Sequence, residues 1–152
     1  MTTQSPCRVR LPTGGIGLLE VLVVLGIVGI LAAIATPGFK DAADRNAVEA
    51  EVSLLVGAVQ SARAHAIRTR TTTTLTLAAC SATSWAGWSV NSGGTAVETY
   101  QHTGRVACNS AGSTLTLAHS GLPTAAAWQV TLSRGVHQRT VRVEADGIPR
   151  VS

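Results

Sequence analysis

The stretch that most constrains this chain is Ile16 to Pro37, IGLLEVLVVLGIVGILAAIATP. From Ile16 to Thr36 every residue is apolar or small except Glu20. That matches the ~20 residues a helix needs to cross the hydrocarbon core of a bilayer. The segment before it, MTTQSPCRVRLPTGG, carries Arg8 and Arg10 and no acid. Basic residues just ahead of a span hold that end in the cytoplasm, which sends the rest of the chain to the far side. A secretory signal would have an apolar run of about 7–15 residues followed by a small-residue cleavage site. Here the run is longer, and Gly14 and Gly15 precede it. The expectation is a single-pass anchor with a domain hung from it.

Bulk composition adds little beyond this. The 152 residues suffice for one modest domain plus an anchor. The net charge of +4 includes Arg8 and Arg10; without them ten basic residues face eight acidic ones, or +2. Bulk charge alone therefore makes no case for nucleic acid. Cys7 lies before the apolar run, Cys80 and Cys108 after it. A pair on the oxidising side reads as a disulfide, with two buried free thiols as the alternative.

Glu20 is the odd residue. An acid in a membrane segment is costly and survives near an interface or beside a cation. Snorkelling at the end of the run is the plain explanation. A cut between Gly15 and Ile16 offers another: it frees an amine at Ile16, four residues from Glu20, which a neighbouring copy can present to that carboxylate. Gly15-Ile16-Gly17-Leu18-Leu19-Glu20, followed by a long apolar helix and Pro37, resembles the class III signal of type IV pilins and type II secretion pseudopilins. The resemblance implies that a prepilin peptidase cuts after Gly15 and that the new N-terminus, Ile16, is methylated. It implies that Glu20 places the subunit in the filament by charge pairing. This chain has Ile16 where the family usually has Phe, and Gly17 where it often has Thr.

Beyond Pro37-Gly38, which should break or kink the helix, the pattern becomes amphipathic. Val48, Val52, Leu55, Val59, Ala62 and Ala66 recur at spacings of four and three, one face of a helix. The reading is a helix from about Phe39 to Arg68 whose apolar stripe packs on a sheet. Arg63, Arg68 and Arg70 at its end form a binding patch or, more simply, solvated cations favoured by the helix dipole. Ala-Arg-x-x-Ala-Ile-Arg at the helix end, then Trp85-Ala86-Gly87-Trp88-Ser89-Val90, resembles the GspH/FimT group of minor pseudopilins and minor pilins.

From Thr71 the composition shifts to Thr, Val, Ser and Gly, as in strands and turns. Strands are predicted at 71–79, 87–91, 97–101, 114–118, 128–132 and 139–145, in two sheets or one bent sheet. Trp85, Trp88 and Trp128 read as core residues rather than a base-stacking platform. His65, His102, His119 and His137 show no metal-ligand spacing, and no nucleophile elbow or phosphate-cradling loop occurs. No catalytic, cofactor-binding or metal-binding residue is expected. Some FimT-type minor pilins that this chain resembles bind DNA through a glycine-arginine-x-arginine motif. The matching stretch is Gly147-Ile148-Pro149-Arg150, with Ile148 in place of the first arginine. Arg139, Arg142 and Arg150 are the candidate DNA contacts, although 139 and 142 fall on opposite faces of an extended strand.

The expected fold class is α+β and type IV pilin-like: a long N-terminal helix, transmembrane then amphipathic, packed on a C-terminal antiparallel β-sheet head. Its expected parts are a cleaved leader at 1–15, a membrane and assembly helix at 16–37, an amphipathic helix at 38–70 and a β-rich periplasmic head at 71–152. The resemblance implies a structural minor pseudopilin or minor pilin of a type II secretion system or type IV pilus. Its partners would be other filament subunits, the prepilin peptidase and the cell inner membrane. The alternative is a DNA-binding minor pilin acting in DNA uptake.

Overall fold

The structure, a computed structural model, describes residues 17–125 and 127–152, with side chains at all of these except 35–37. The leader, Gly15 and Ile16 lie outside the described residues. Contacts divide the chain between Phe39 and Lys40 into two compact units. One long helix, α1 (Leu18–Thr69), contributes to both. The helical pattern does not stop at Pro37, as a proline break there would have required. Arg70, with φ of 55°, ends the helix in the left-handed conformation that closes many helices.

The second unit, Lys40–Ser152, owns the core. Every buried hydrophobic residue among those described lies between Val48 and Val143. All six members of the helix stripe, from Val48 to Ala66, are buried, and Ala58 joins them. Asn46, Ser53 and Gln60, on another face, are exposed. Spacing of four and three keeps one side of the helix against the sheets, and burial of that side stabilises the docking.

The strands are β1 (Thr73–Ala78), β2 (Gly87–Ser92), β3 (Thr95–Gln101), β4 (Ala107–Ser110), β5 (Thr114–Leu117), β6 (Ala127–Arg134), β7 (His137–Glu144) and β8 (Pro149–Val151). They form two four-stranded antiparallel sheets, ordered β3-β2-β1-β5 and β4-β6-β7-β8. Period-two alternation in β1 buries Thr73, Leu75 and Leu77 and leaves Thr74 and Thr76 half-exposed. β4 and β8 lie outside the predicted strand ranges. β4 reads Ala-Cys-Asn-Ser, poor strand material, but pairing with β6 and the burial of Cys108 override local preference. β8 opens on a proline, which an edge strand tolerates at its first residue. Cys80, just past β1, is joined to Cys108 of β4, so the bond ties one sheet to the other.

Trp85, Trp88 and Trp128 are all buried, as core residues. Gly87 between the first two has φ of +113°, and a Cβ there would lie 2.0 Å from the Tyr100 carbonyl oxygen. Only glycine takes that backbone shape and that approach without strain. The Trp85 indole N–H then donates to the Gly87 carbonyl at 2.7 Å. The tryptophan–glycine–tryptophan pattern is thus a device for crossing from a loop into β2 against β3.

Candidate functional site

The first unit is described by its helix, from Leu18 to Phe39. Its large apolar side chains are exposed on all sides, from Leu18 at 84% to Ile34 at 71%. A helix apolar all round is a buried helix or a membrane span. A methyl group built at Gly26 or Gly29 meets nothing within 4 Å among the described residues. Among the described residues no single helix is long and apolar enough to cross a membrane. Leu18–Ile34 and Gly38–Thr69 taken together would be, on length and composition. Glu20 sits in the first turn of α1, where the amides of Glu20 and Val21 donate to the Gly17 carbonyl (2.9 and 3.2 Å). A carboxylate there also faces the positive end of the helix dipole.

The head holds a buried polar cluster that the sequence patterns did not reveal. Glu51 points inward from α1 and is only 9% exposed. Its Oε1 accepts from the Tyr100 hydroxyl (3.0 Å) and from His102 Nδ1 (2.8 Å). The Val106 amide donates to His102 Nε2 at 3.4 Å, which leaves the ring proton on Nδ1, aimed at Glu51. His102 stacks on Trp85 (centroids 5.1 Å) and Tyr100 on Trp88 (5.7 Å). Burial, reinforced by the hydrogen bond to the Glu51 carboxylate, pushes the Tyr100 phenol above its ordinary value. Glu51 Oε2 and Trp88 Nε1 are buried with no hydrogen-bond partner among the described residues. The cluster pins β3 and the segment after it to the helix. Glu51 falls next to Val52 on the stripe, and only the absence of a compensating charge nearby in sequence disguised it.

The candidate DNA-contact arginines do not converge. Arg139 shares the inward alternation of Val141 and Val143 and approaches Glu49 of the helix at 3.7 Å. Glu49 is also bonded by Arg45 at 3.0 Å, and these two guanidiniums, Arg45 foremost, hold its carboxyl below the ordinary value. Arg142 faces outward, in register with Arg150 of β8, and donates to the Gln129 side chain at 2.9 Å. Arg150 is engaged twice, with Glu144 and with Asp146, the latter at 2.7 Å. Asp146 is held low first by the Ile148 amide and then by Arg150. Of the earlier cluster, Arg63 donates to the Gly147 carbonyl (3.4 Å), while Arg68 and Arg70 are exposed. Among the described residues no group of three or more His, Cys, Asp or Glu is placed to hold a metal ion.

No protein-family model matches the chain, and no curated protein does. Two crystal forms of the type IV minor pilin FimU of Pseudomonas aeruginosa are similar in structure. The first aligns with a TM-score of 0.54 and 16% identity, covering 71% of this chain and 88% of FimU. The second aligns with a TM-score of 0.54 and 15% identity, covering 68% and 91%. At such identity the likeness speaks to architecture, and the architecture is the one derived above from the helix stripe and the two sheets. The chain therefore has a type IV pilin-like α+β fold, in which the Val48–Ala66 stripe of a long helix packs on an antiparallel β head.

Proposed function

We propose that this chain is a structural subunit of a type IV pilus or a type II secretion pseudopilus and not an enzyme. In this reading the prepilin peptidase cuts after Gly15, and the freed Ile16 amine is methylated. Ile16–Thr36 anchors the subunit in the inner membrane with the head, from residue 38 onward, in the periplasm. The observation that carries it is the exposed, all-round apolar helix with one acid, Glu20, in its first turn. Such a surface requires either lipid or the helices of other subunits to cover it, and small residues such as Gly26 and Gly29 let helices approach closely. Glu20 then meets the Ile16 amine of an adjoining subunit, since a charge buried among apolar helices requires a partner. The Cys80–Cys108 bond supports a head in an oxidising compartment.

Intact mass of the protein from its native membrane tests the cut: loss of residues 1–15 is expected, and retention of Met1–Gly15 sinks the proposal. Glu20→Ala should insert in the membrane but be depleted from the filament fraction; normal incorporation would refute the charge pairing. The rival reading, a DNA-binding minor pilin, draws on Arg142 and Arg150 lying in register on one outer face. Their acidic neighbours Glu144 and Asp146 offset it. Phosphate contacts make non-specific DNA binding fall steeply with salt. A gel shift of residues 38–152 across a salt series, with Arg150→Ala as control, separates the two.

A further inference from the structure

The β6–β7 hairpin ends in a two-residue loop, Gly135-Val136, closed by the Arg134–His137 pair. Gly135 takes φ of 61°, which the first position of such a loop asks of glycine. Nothing in the turn asks for valine at the next position, where polar residues are the rule. Yet Val136 is 86% exposed, more than any other large apolar residue described in the second unit. Two ion pairs fix the tip to the helix: Arg134 Nε to Asp44 (2.6 Å) and His137 Nε2 to Asp41 (2.8 Å). Both acids precede Val48, the first buried residue of the stripe.

Beside this tip opens a cleft of ≈ 250 Å³ lined by Arg45, Val48, Glu49, His137, Gln138 and Arg139. Arg45 spends its Nε on Glu49. Arg139 stands 3.7 Å from the same carboxylate, beyond hydrogen-bond distance, and has no other acceptor among the described residues. With Lys40 and Arg134, four permanent cations stand against three acids, Asp41, Asp44 and Glu49, before His137 is counted. A guanidinium carries its N–H donors in a planar fork that suits a phosphate.

Asp41 and Asp44 follow Thr36, the last residue of the apolar run, by five and eight positions. At a helical rise of about 1.5 Å per residue that is a path of about 8 and 12 Å along α1. The headgroup layer outside each face of the hydrocarbon core is of similar depth, about 5–8 Å. The path is set by the number of residues, whatever the angle between the two units. We propose that the β6–β7 turn is a membrane-surface contact: before assembly, Val136 enters the headgroup layer of the bilayer that holds the anchor, and Arg45 and Arg139 bind an anionic lipid phosphate in the cleft. This rests on the membrane anchoring proposed above. In such contacts apolar insertion and attraction to anionic lipid add.

The test uses the full chain, in a Cys7→Ala background, inserted in vesicles of phosphatidylethanolamine and phosphatidylglycerol. An environment-sensitive dye is attached at Val136→Cys and, separately, at Thr95→Cys. Thr95 is exposed and pairs with Ser92, which bonds Thr71 just past the far end of α1. Cys80 and Cys108 are joined and do not take the dye. Quenching by headgroup-labelled nitroxide lipid is expected to be at least about threefold stronger at 136 than at 95. In vesicles of phosphatidylcholine alone, or with Arg45→Gln and Arg139→Gln together, the excess at 136 is expected to fall at least about fivefold. The lipid comparison needs no arginine variant, so it stands if the double variant fails to fold. Equal quenching at 136 and 95, an excess indifferent to anionic lipid, or a folded double variant that keeps the excess each overturns the membrane contact alone. So does a dye at 136 shielded only in the assembled filament, which assigns Val136 to a neighbouring subunit. A wild-type chain that alkaline extraction strips from the vesicles overturns the anchor, and the contact with it.

Discussion

Glu51 and Gly87 show how single residues hold the head. Glu51 accepts from both Tyr100 and His102 in a buried site. Glu51→Ala leaves two buried donors unmet and should lower unfolding free energy by about 3 kcal/mol, as for other broken buried pairs. Glu51→Gln, which keeps an acceptor, should cost clearly less; urea unfolding of residues 40–152 reads both. Gly87→Ala combines a left-handed φ with a clash against the Tyr100 carbonyl. A loss of about 3 kcal/mol or more is expected in the same assay. Titration follows from the same contacts. Glu49 and Asp146 are depressed in the fold, so their contribution is present above the unfolded carboxylate value of about 4. It is lost as pH falls through their folded values. Tyr100 is raised, so its contribution is complete below about pH 10 and is lost as pH rises through its folded value. The urea midpoint should therefore be flat with respect to these groups between about pH 5 and 9. Glu49→Gln with Asp146→Asn should flatten the acid limb, and Tyr100→Phe should remove its share of the alkaline limb.

Among the elements, the helix was legible and the sheet order was not. Six stripe positions repeat at spacings of four and three, and a helix that packs one side on a sheet buries that side. Strands β1, β2, β3, β5, β6 and β7 announced themselves by alternation and by the turns between them. β4 and β8 did not, because each is short and is made a strand by its partner, β6 or β7, rather than by its own residues. β4 is also where the two sheets are tied, through Cys108 to Cys80. The bond closes a 28-residue separation, for which chain entropy gives about 3–4 kcal/mol. Cys80→Ser with Cys108→Ser should lower the urea unfolding free energy by that order, and reduction of the wild-type head should reproduce the loss.

For the whole molecule, the division between Phe39 and Lys40 separates two kinds of surface. The second unit buries its own apolar residues; the described helix of the first leaves Leu18, Leu22, Leu25 and Ile30 more than half exposed. Residues 40–152 expressed alone should remain in the supernatant and unfold cooperatively, whereas the chain from Ile16 onward should require detergent. Sedimentation with and without detergent checks this, and aggregation of the isolated head would show that its core is incomplete without the first unit.

The sequence by itself determined the apolar segment with its single acid, the amphipathic stripe and the β-rich composition beyond it. Each is a local or periodic signal, carried by residues near one another in the chain. Tertiary structure alone decided what depends on distant residues meeting. It placed Tyr100 and His102 on Glu51, some fifty positions away, and set acids against Arg150. Pairing of this kind is set by which surfaces the packed core brings together, and no periodicity along the chain encodes it.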